Sequence, residues 1–163
     1  MLAMRIVLFI CFLCLIGCQR PSEPPSTLAE PEATVSSNGL VFALRIARDK
    51  VGIGDTISGV FEIRNNSGIE RTFFFLYQQH FALEVQQENG EVISVRTVPN
   101  QISANILRIP INERRSYPFA FVPRHLKTDA ALPAGTYWLC GYLLENHSPK
   151  VRLKLTITSS SAP

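Results

Sequence analysis

FALEVQQENGEVISVRT, Phe81 to Thr97, reads as a β-hairpin and sets the fold class. Phe81, Leu83 and Val85 alternate with small or polar residues, the period-two pattern of a half-buried strand. Glu91 to Thr97 returns as a second β-prone run. Between them stands Asn89-Gly90, the strongest short hairpin signal in the chain, because Asn and Gly enter positive φ at little steric cost. On this pattern Glu84 and Glu91 fall on a solvated face.

The flanking sequence repeats the pattern. Leu40 to Ile46 (LVFALRI) and Thr56 to Arg64 (TISGVFEIR) read as strands. The second puts Ile57, Val60 or Phe61, and Ile63 inward, with Glu62 and Arg64 outward. Asn65-Asn66-Ser67-Gly68 makes a turn. Thr72 to Tyr77 (TFFFLY) is aromatic and β-prone, and weaker strands are expected at Ala104 to Ile109 and Ser116 to Val122. Pro133-Ala134-Gly135 turns into Thr136 to Leu144 (TYWLCGYLL), where Trp138 and Tyr142 are expected in the core. Val151 to Thr158 (VRLKLTIT) places Val151, Leu153, Leu155 and Ile157 on one face. No segment sustains a helical period, and Gly or Pro interrupts too often for one. Eight or nine short strands at this spacing predict an all-β, immunoglobulin-like antiparallel β-sandwich, with a closed barrel as the alternative. Too few strands reach the ~10 residues of a transmembrane barrel.

The N-terminus has a different character. Ile6 to Leu15 (IVLFICFLCL) carries no polar side chain and follows Arg5. It has the length of a signal-peptide apolar region and falls short of the ~20 residues that span a bilayer. It runs into Leu15-Ile16-Gly17-Cys18, where a small residue precedes a thiol. This tetrapeptide resembles the bacterial lipobox, and the resemblance implies cleavage before Cys18 with lipid on its sulfur and new amine. Residues 1–17 are then a signal peptide and Cys18 a membrane anchor, the one covalent group expected; no other cofactor is. Gln19 is not aspartate, which by the usual sorting rule implies the outer membrane in a host with two membranes.

Gln19 to Asn38 holds four prolines, four serines and three glutamates. Such a stretch buries too little to offset its chain entropy, so residues 18–38 are expected to be a disordered, semi-extended tether of up to ~60 Å. Residues 39–163 then form one folded domain. Cys11 and Cys14 fall in the removed segment, which leaves Cys140 as the cysteine of the folded body, expected as a small buried hydrophobe without a disulfide.

Several segments resemble the bacterial intracellular proteinase inhibitor family (BsuPI-like domains). Gly54-Asp55-Thr56 followed by Phe61 to Gly68 is similar to that family's strand and Asn turn. Phe81 to Val85 running through Asn89-Gly90 into Val92 is similar to its central hairpin, and Leu132 to Tyr137 with Gly141-Tyr142-Leu143 to its closing segment. The likeness spans Val51 to Leu144; Val92 to Arg96 and Ile111 to Arg115 depart from the pattern. It implies an immunoglobulin-like fold and a proteinase-inhibitor type of protein binding.

Without Arg5 the chain carries fifteen basic and thirteen acidic residues, and Arg114-Arg115 is too short for a basic patch, so no nucleic-acid partner is expected. His80, His125 and His147 match no metal spacing, and no nucleophile elbow or phosphate loop occurs. Neither catalysis nor a small-molecule substrate is expected. His80 is expected to be a partly exposed histidine at a strand end. Asn65-x-Ser67 and Asn146-x-Ser148 match a glycosylation sequon, which has little meaning in a bacterial lipoprotein.

Phe73-Phe74-Phe75-Leu76-Tyr77 puts large side chains on both faces of one strand, which cannot all enter one core. Either the strand is central and covered on its outer side by the Val98 to Leu107 connection or by loops, or Phe73, Phe74, Phe75 and Tyr77 include an exposed patch for a protein partner. Ile102 to Ile111 is a second candidate surface. Two function classes follow: a membrane-tethered, non-catalytic binding or inhibitor-like module of the cell envelope, or an accessory subunit of an envelope assembly joined by strand addition.

Overall fold

The computed structural model describes residues 30–96, 102–145 and 147–159. Leu15, Ile16, Gly17 and Cys18, most of the expected tether, the connection after Arg96 and the Asn146 sequon lie outside them. Eleven strands follow one another among the described residues: β1 (Glu32–Ser37), β2 (Leu40–Ile46), β3 (Lys50–Gly52), β4 (Ile57–Asn65), β5 (Arg71–Tyr77), β6 (Phe81–Gln86), β7 (Val92–Val95), β8 (Ile102–Ile109), β9 (Arg114–Phe121), β10 (Gly135–Leu143) and β11 (Val151–Thr158). One sheet has the order β1-β2-β4-β9, the other β3-β11-β10-β6-β7, and β5 and β8 pair as a separate ribbon. Every pairing is antiparallel except β3 with β11.

This strand order is that of an immunoglobulin-like sandwich. β2, β4 and β9 take the places of strands A, B and E, while β6, β10 and β11 take those of C, F and G, with β7 beside C. The inner faces meet through Phe42, Leu44, Phe61 and Ile63 on one sheet and Leu83, Val85, Leu139 and Leu155 on the other, all buried. Removing a side chain of this size from water stabilises by ~1.5–3 kcal/mol. Phe61 bridges the core, with ring centroids 6.5 Å from Phe42 and 5.4 Å from Phe81.

Two strands, β1 and β3, exceed the expected set, and β1 corrects the tether boundary. Glu32 to Ser37 is paired along its length with β2, from Glu32 opposite Arg45 to Ser37 opposite Leu40. Ala33 and Val35 pack against the core from this edge. Asn38 (φ +51°) and Gly39 (φ +75°) form the two-residue turn between the strands, with both central residues left-handed. The folded body therefore begins before residue 39. Thirteen residues, Gln19 to Pro31, separate Cys18 from β1, a reach of about 40 Å at the semi-extended rise of ~3 Å per residue instead of ~60 Å.

The Asn89-Gly90 hairpin joins β6 to β7 as expected, through a turn that Gly90 N–H closes by donating to Gln87 O at 3.0 Å. Two expectations on the second sheet are corrected. Trp138 and Tyr142 point away from the core, which is filled from this strand by Tyr137, Leu139 and Leu143. Glu84 is buried, although it too faces outward.

The strand directions define two poles. β1 starts, β4 starts and β11 ends at one pole, so Glu30 and Ser159 both leave the body there. The β5–β8 ribbon and the turn after β10 occupy the opposite pole, where β4 and β10 end and β6, β9 and β11 begin.

Candidate functional site

Three features fix the ribbon to its pole. Asn65, the last residue of β4, is buried; its Nδ2 donates to Ile69 O and to Ile109 O, each at 2.8 Å. Its Oδ1 accepts from Ser67 N–H at 2.9 Å and Ser67 Oγ at 2.6 Å. One amide thus holds the chain as it leaves β4 and the end of β8. Arg71, at the start of β5, donates to Asn38 O at 2.8 Å and ties the ribbon root to the β1–β2 turn. At the other end of β5, Leu144 N–H donates to His80 O at 2.9 Å.

The ribbon splits the aromatic run. Phe75 is 5% exposed, and with Leu107 and Ile109 it belongs to the core, against which half-buried Phe73 packs. Neither of these two inward-facing rings is available as a direct partner contact of the kind the sequence suggested. Phe74 and Leu76 alternate with them and stand 75% and 72% exposed, while Tyr77 is also exposed. β8 continues this outer face. Ile106 lies opposite Phe74 and Ile102 opposite Tyr77, and Ile102 is 86% exposed. The strand is thus half of a ribbon, neither central nor covered on its outer side by described residues. Antiparallel sheets that face water on one side ordinarily carry polar residues there. This ribbon carries Phe74, Leu76, Ile102 and Ile106.

A groove of about 410 Å³ runs beside β5, lined by Thr72 through Tyr77, Gln79, Leu144 and Glu145. Leu76 lay in the aromatic run but not among its four candidate contacts, and Ile106 lay in the Ile102 to Ile111 candidate surface, whereas Leu144 and Glu145 did not stand out in the sequence. The alternation in Phe73 to Tyr77 holds the signal for Leu76, but the contribution of the distant 144–145 turn has no local trace.

His80 lies behind the ribbon. Its ring centroid is 4.8 Å from that of Phe75, Nδ1 is 3.2 Å from the Tyr117 hydroxyl, and Asn105 Nδ2 is 2.9 Å from Nε2. Burial lowers its pKa from 6.5, opposed in part by the Asn105 hydrogen bond. Burial likewise pushes the Tyr117 hydroxyl up to about 12, against the opposing charge of Arg115. A neutral imidazole held by two partners and an aromatic ring locks the base of β8 to β9. This is a structural role.

The outer face of the second sheet carries a different cluster. The Glu84 carboxylate contacts Lys150 Nζ and Gln86 Nε2 and accepts from the Tyr142 hydroxyl at 3.2 Å. Lys150 also lies 4.7 Å over the Tyr142 ring, and Arg152 lies 4.8 Å over that of Trp138. Cys140 is buried beneath, its thiol pKa raised by burial and then by the Glu84 charge, which leaves it a poor nucleophile. Among the described residues, no group of three or more His, Cys, Asp or Glu side chains converges as a metal site would require.

No protein-family model matches this sequence, and comparison with curated proteins finds no match. Among solved structures, a β-glucosidase from Erythrobacter marinus aligns with 71% of this chain at 10% identity and a TM-score of 0.42, over 15% of its own length. A β-glucosidase from Listeria innocua in complex with glucose aligns with 72% of this chain at 8% identity and a TM-score of 0.42, over 16% of its length. The chain thus spans about a sixth of these enzymes. A CARDB domain from Pyrococcus furiosus, in complex with di-metal ions, aligns with 81% of this chain and 92% of its own, at 11% identity and a TM-score of 0.41. Likenesses this distant bear on neither activity nor ligand.

Proposed function

We propose that this chain is a lipid-tethered, non-catalytic protein-binding module of the bacterial cell envelope. The observation that carries the reading is the apolar outer face of the β5–β8 ribbon, with Phe74, Leu76, Ile102 and Ile106 exposed together. Isolated apolar residues on a surface are ordinary, whereas a contiguous group marks a docking surface. Its position supports the same reading. The segment leading to Cys18 leaves from the opposite pole, so a body held by lipid on Cys18 presents the ribbon away from the membrane. In a host with two membranes the anchor is assigned to the outer one, from Gln19 after Cys18. Proteinase inhibition is the specific form of binding that the family resemblance favours.

Affinity isolation in mild detergent from the producing cells tests the binding surface. The wild-type chain is expected to bring down a partner that Phe74→Asp/Leu76→Asp loses. Equal recovery by both would refute the ribbon as the binding surface. Lipid labelling and membrane fractionation of Cys18→Ala test the anchor: labelling unchanged in this variant removes it from the account. A screen of the purified chain against proteases tests the inhibitor form, which no inhibition at high molar excess would exclude.

A further inference from the structure

β5 has one hydrogen-bonded neighbour, β8, and among the described residues no backbone hydrogen bond leaves its other edge. Alternate N–H and C=O groups of Thr72 to Tyr77 therefore point into the groove beside that edge. Six consecutive residues of β5 line it, together with Gln79 and with Leu144 and Glu145 of the turn after β10. A slot bounded by a free strand edge and a turn is shaped for one extended chain. At ~3.3 Å per residue, Thr72 to Tyr77 offers a ladder of about 20 Å.

The occupant comes from outside the body. Glu30 and Ser159 both leave at the opposite pole, a nine-residue strand or ~30 Å away, and in the proposed function lipid on Cys18 draws the segment before Glu30 onward to the membrane. A second copy of this chain fits poorly, because its own β5 edge is walled by the same 144–145 turn and two walled edges cannot approach. Charge narrows the choice further. Glu145 is the one charged residue lining the groove among the described residues. The outer face beside the slot is apolar through Phe74 and Leu76.

Building on the ribbon as the binding surface, we propose that the partner is engaged by strand addition. An extended segment of another protein pairs with the free edge of β5. Its apolar residues, at alternate positions, continue the Phe74–Leu76 face, and a basic residue meets Glu145. Backbone pairing then supplies affinity, and the alternate side chains supply selectivity. The exposed apolar face is completed as a three-stranded sheet.

The test uses twelve-residue peptides selected from a random displayed library against the full chain in detergent. The binders are then synthesised with and without N-methyl groups at alternate backbone positions. Selected peptides are expected to share alternating apolar residues with a Lys or Arg at one end, and to slow amide exchange of residues 72–77. N-methylation of the ladder-facing amides is expected to weaken them at least tenfold, and Glu145→Lys to do so several-fold. If N-methylation is harmless but Phe74→Asp abolishes binding, strand addition is overturned while the ribbon surface stands. If binders protect the edges of β7 or β9, or if no peptide is selected, strand addition is likewise overturned. Dimerisation through β5, read as a doubled mass in light scattering that Leu76→Asp reverses, would assign the edge to a second copy and also contradict the proposal.

Discussion

Replacing Asn65 by alanine removes the amide that joins the ribbon to the sandwich. Four hydrogen bonds end on this buried side chain, two donated to Ile69 O and Ile109 O and two accepted from Ser67. A net hydrogen bond contributes about 1 kcal/mol, and an unsatisfied buried group costs more. Ile109 O, at the end of a buried strand residue, cannot easily find water, whereas exposed Ile69 and half-buried Ser67 can. The expected loss is therefore about 3 kcal/mol, short of the four-bond maximum. For a domain of this size that is a fall in midpoint temperature of roughly 10 °C.

Asn65→Asp separates the donor half of the network from the acceptor half. It keeps an oxygen for Ser67, but turns a second oxygen toward the two carbonyls that Nδ2 had satisfied. At pH 7 the aspartate variant is expected to be no more stable than the alanine one. Facing acceptors raises the folded-state pKa of the new carboxyl above its unfolded value near 4. Protonation is then favoured in the folded state, so its deficit shrinks as pH falls. Urea unfolding at pH 7 and pH 4.5, with amide exchange across β5 and β8, reads both effects. Loss of less than about 1 kcal/mol in Asn65→Ala, or an aspartate variant as stable as wild type at pH 7, would show that the Asn65 amide does not hold the ribbon.

Other outcomes follow from the same contacts. Lys150→Met leaves the buried Glu84 carboxylate with Tyr142 and Gln86 alone; because Lys150 is nearly half exposed, solvent screening holds the expected cost to about 1–2 kcal/mol. Adding Glu84→Gln should recover part of it in a double-mutant cycle, and strict additivity would show the pair to be uncoupled. His80 has its folded pKa below 6.5, so its contribution is complete above pH 6.5 and is lost as pH falls through the folded value. Urea midpoints at pH 7.5 and 5.5 should fall further for wild type than for His80→Gln, and equal falls would remove His80 as the cause. Gly39→Ala combines a left-handed φ of +75° with a new Cβ 2.7 Å from Ser67 Cβ, and should cost about 2–3 kcal/mol by chemical denaturation. A change below about 0.5 kcal/mol would show that the β1–β2 turn relaxes freely.

Strands with one wet face were legible in the sequence. Val151 to Thr158 alternates apolar and polar residues without a break and is β11 residue for residue. β1 was not legible from composition, because proline, serine and glutamate surround it and Ala33 and Val35 are its apolar content. Its one local signal is Asn38-Gly39, the same dipeptide that makes the β6–β7 turn, set here beside a proline-rich run. Glu84 follows the outward alternation, yet Lys150, Tyr142 and Gln86 from nearby positions in the sheet cover it. Burial of that kind depends on which strands lie side by side, and no single segment encodes it. The aromatic run showed that both faces of one strand were apolar. Which face stayed bare depended on β8 pairing beside it and on Asn65 fixing both at one pole.

In the proposed function a protein partner meets the outer face of the ribbon at the pole away from the membrane. A photo-crosslinking residue placed at position 74, in the full chain in its own cells, tests it most directly, with the same residue at exposed position 48 near the anchored pole as the control. A discrete protein adduct is expected from position 74 and none from position 48. An adduct from position 48 alone, or none from position 74 in cells where the chain is fully membrane-bound, would contradict it.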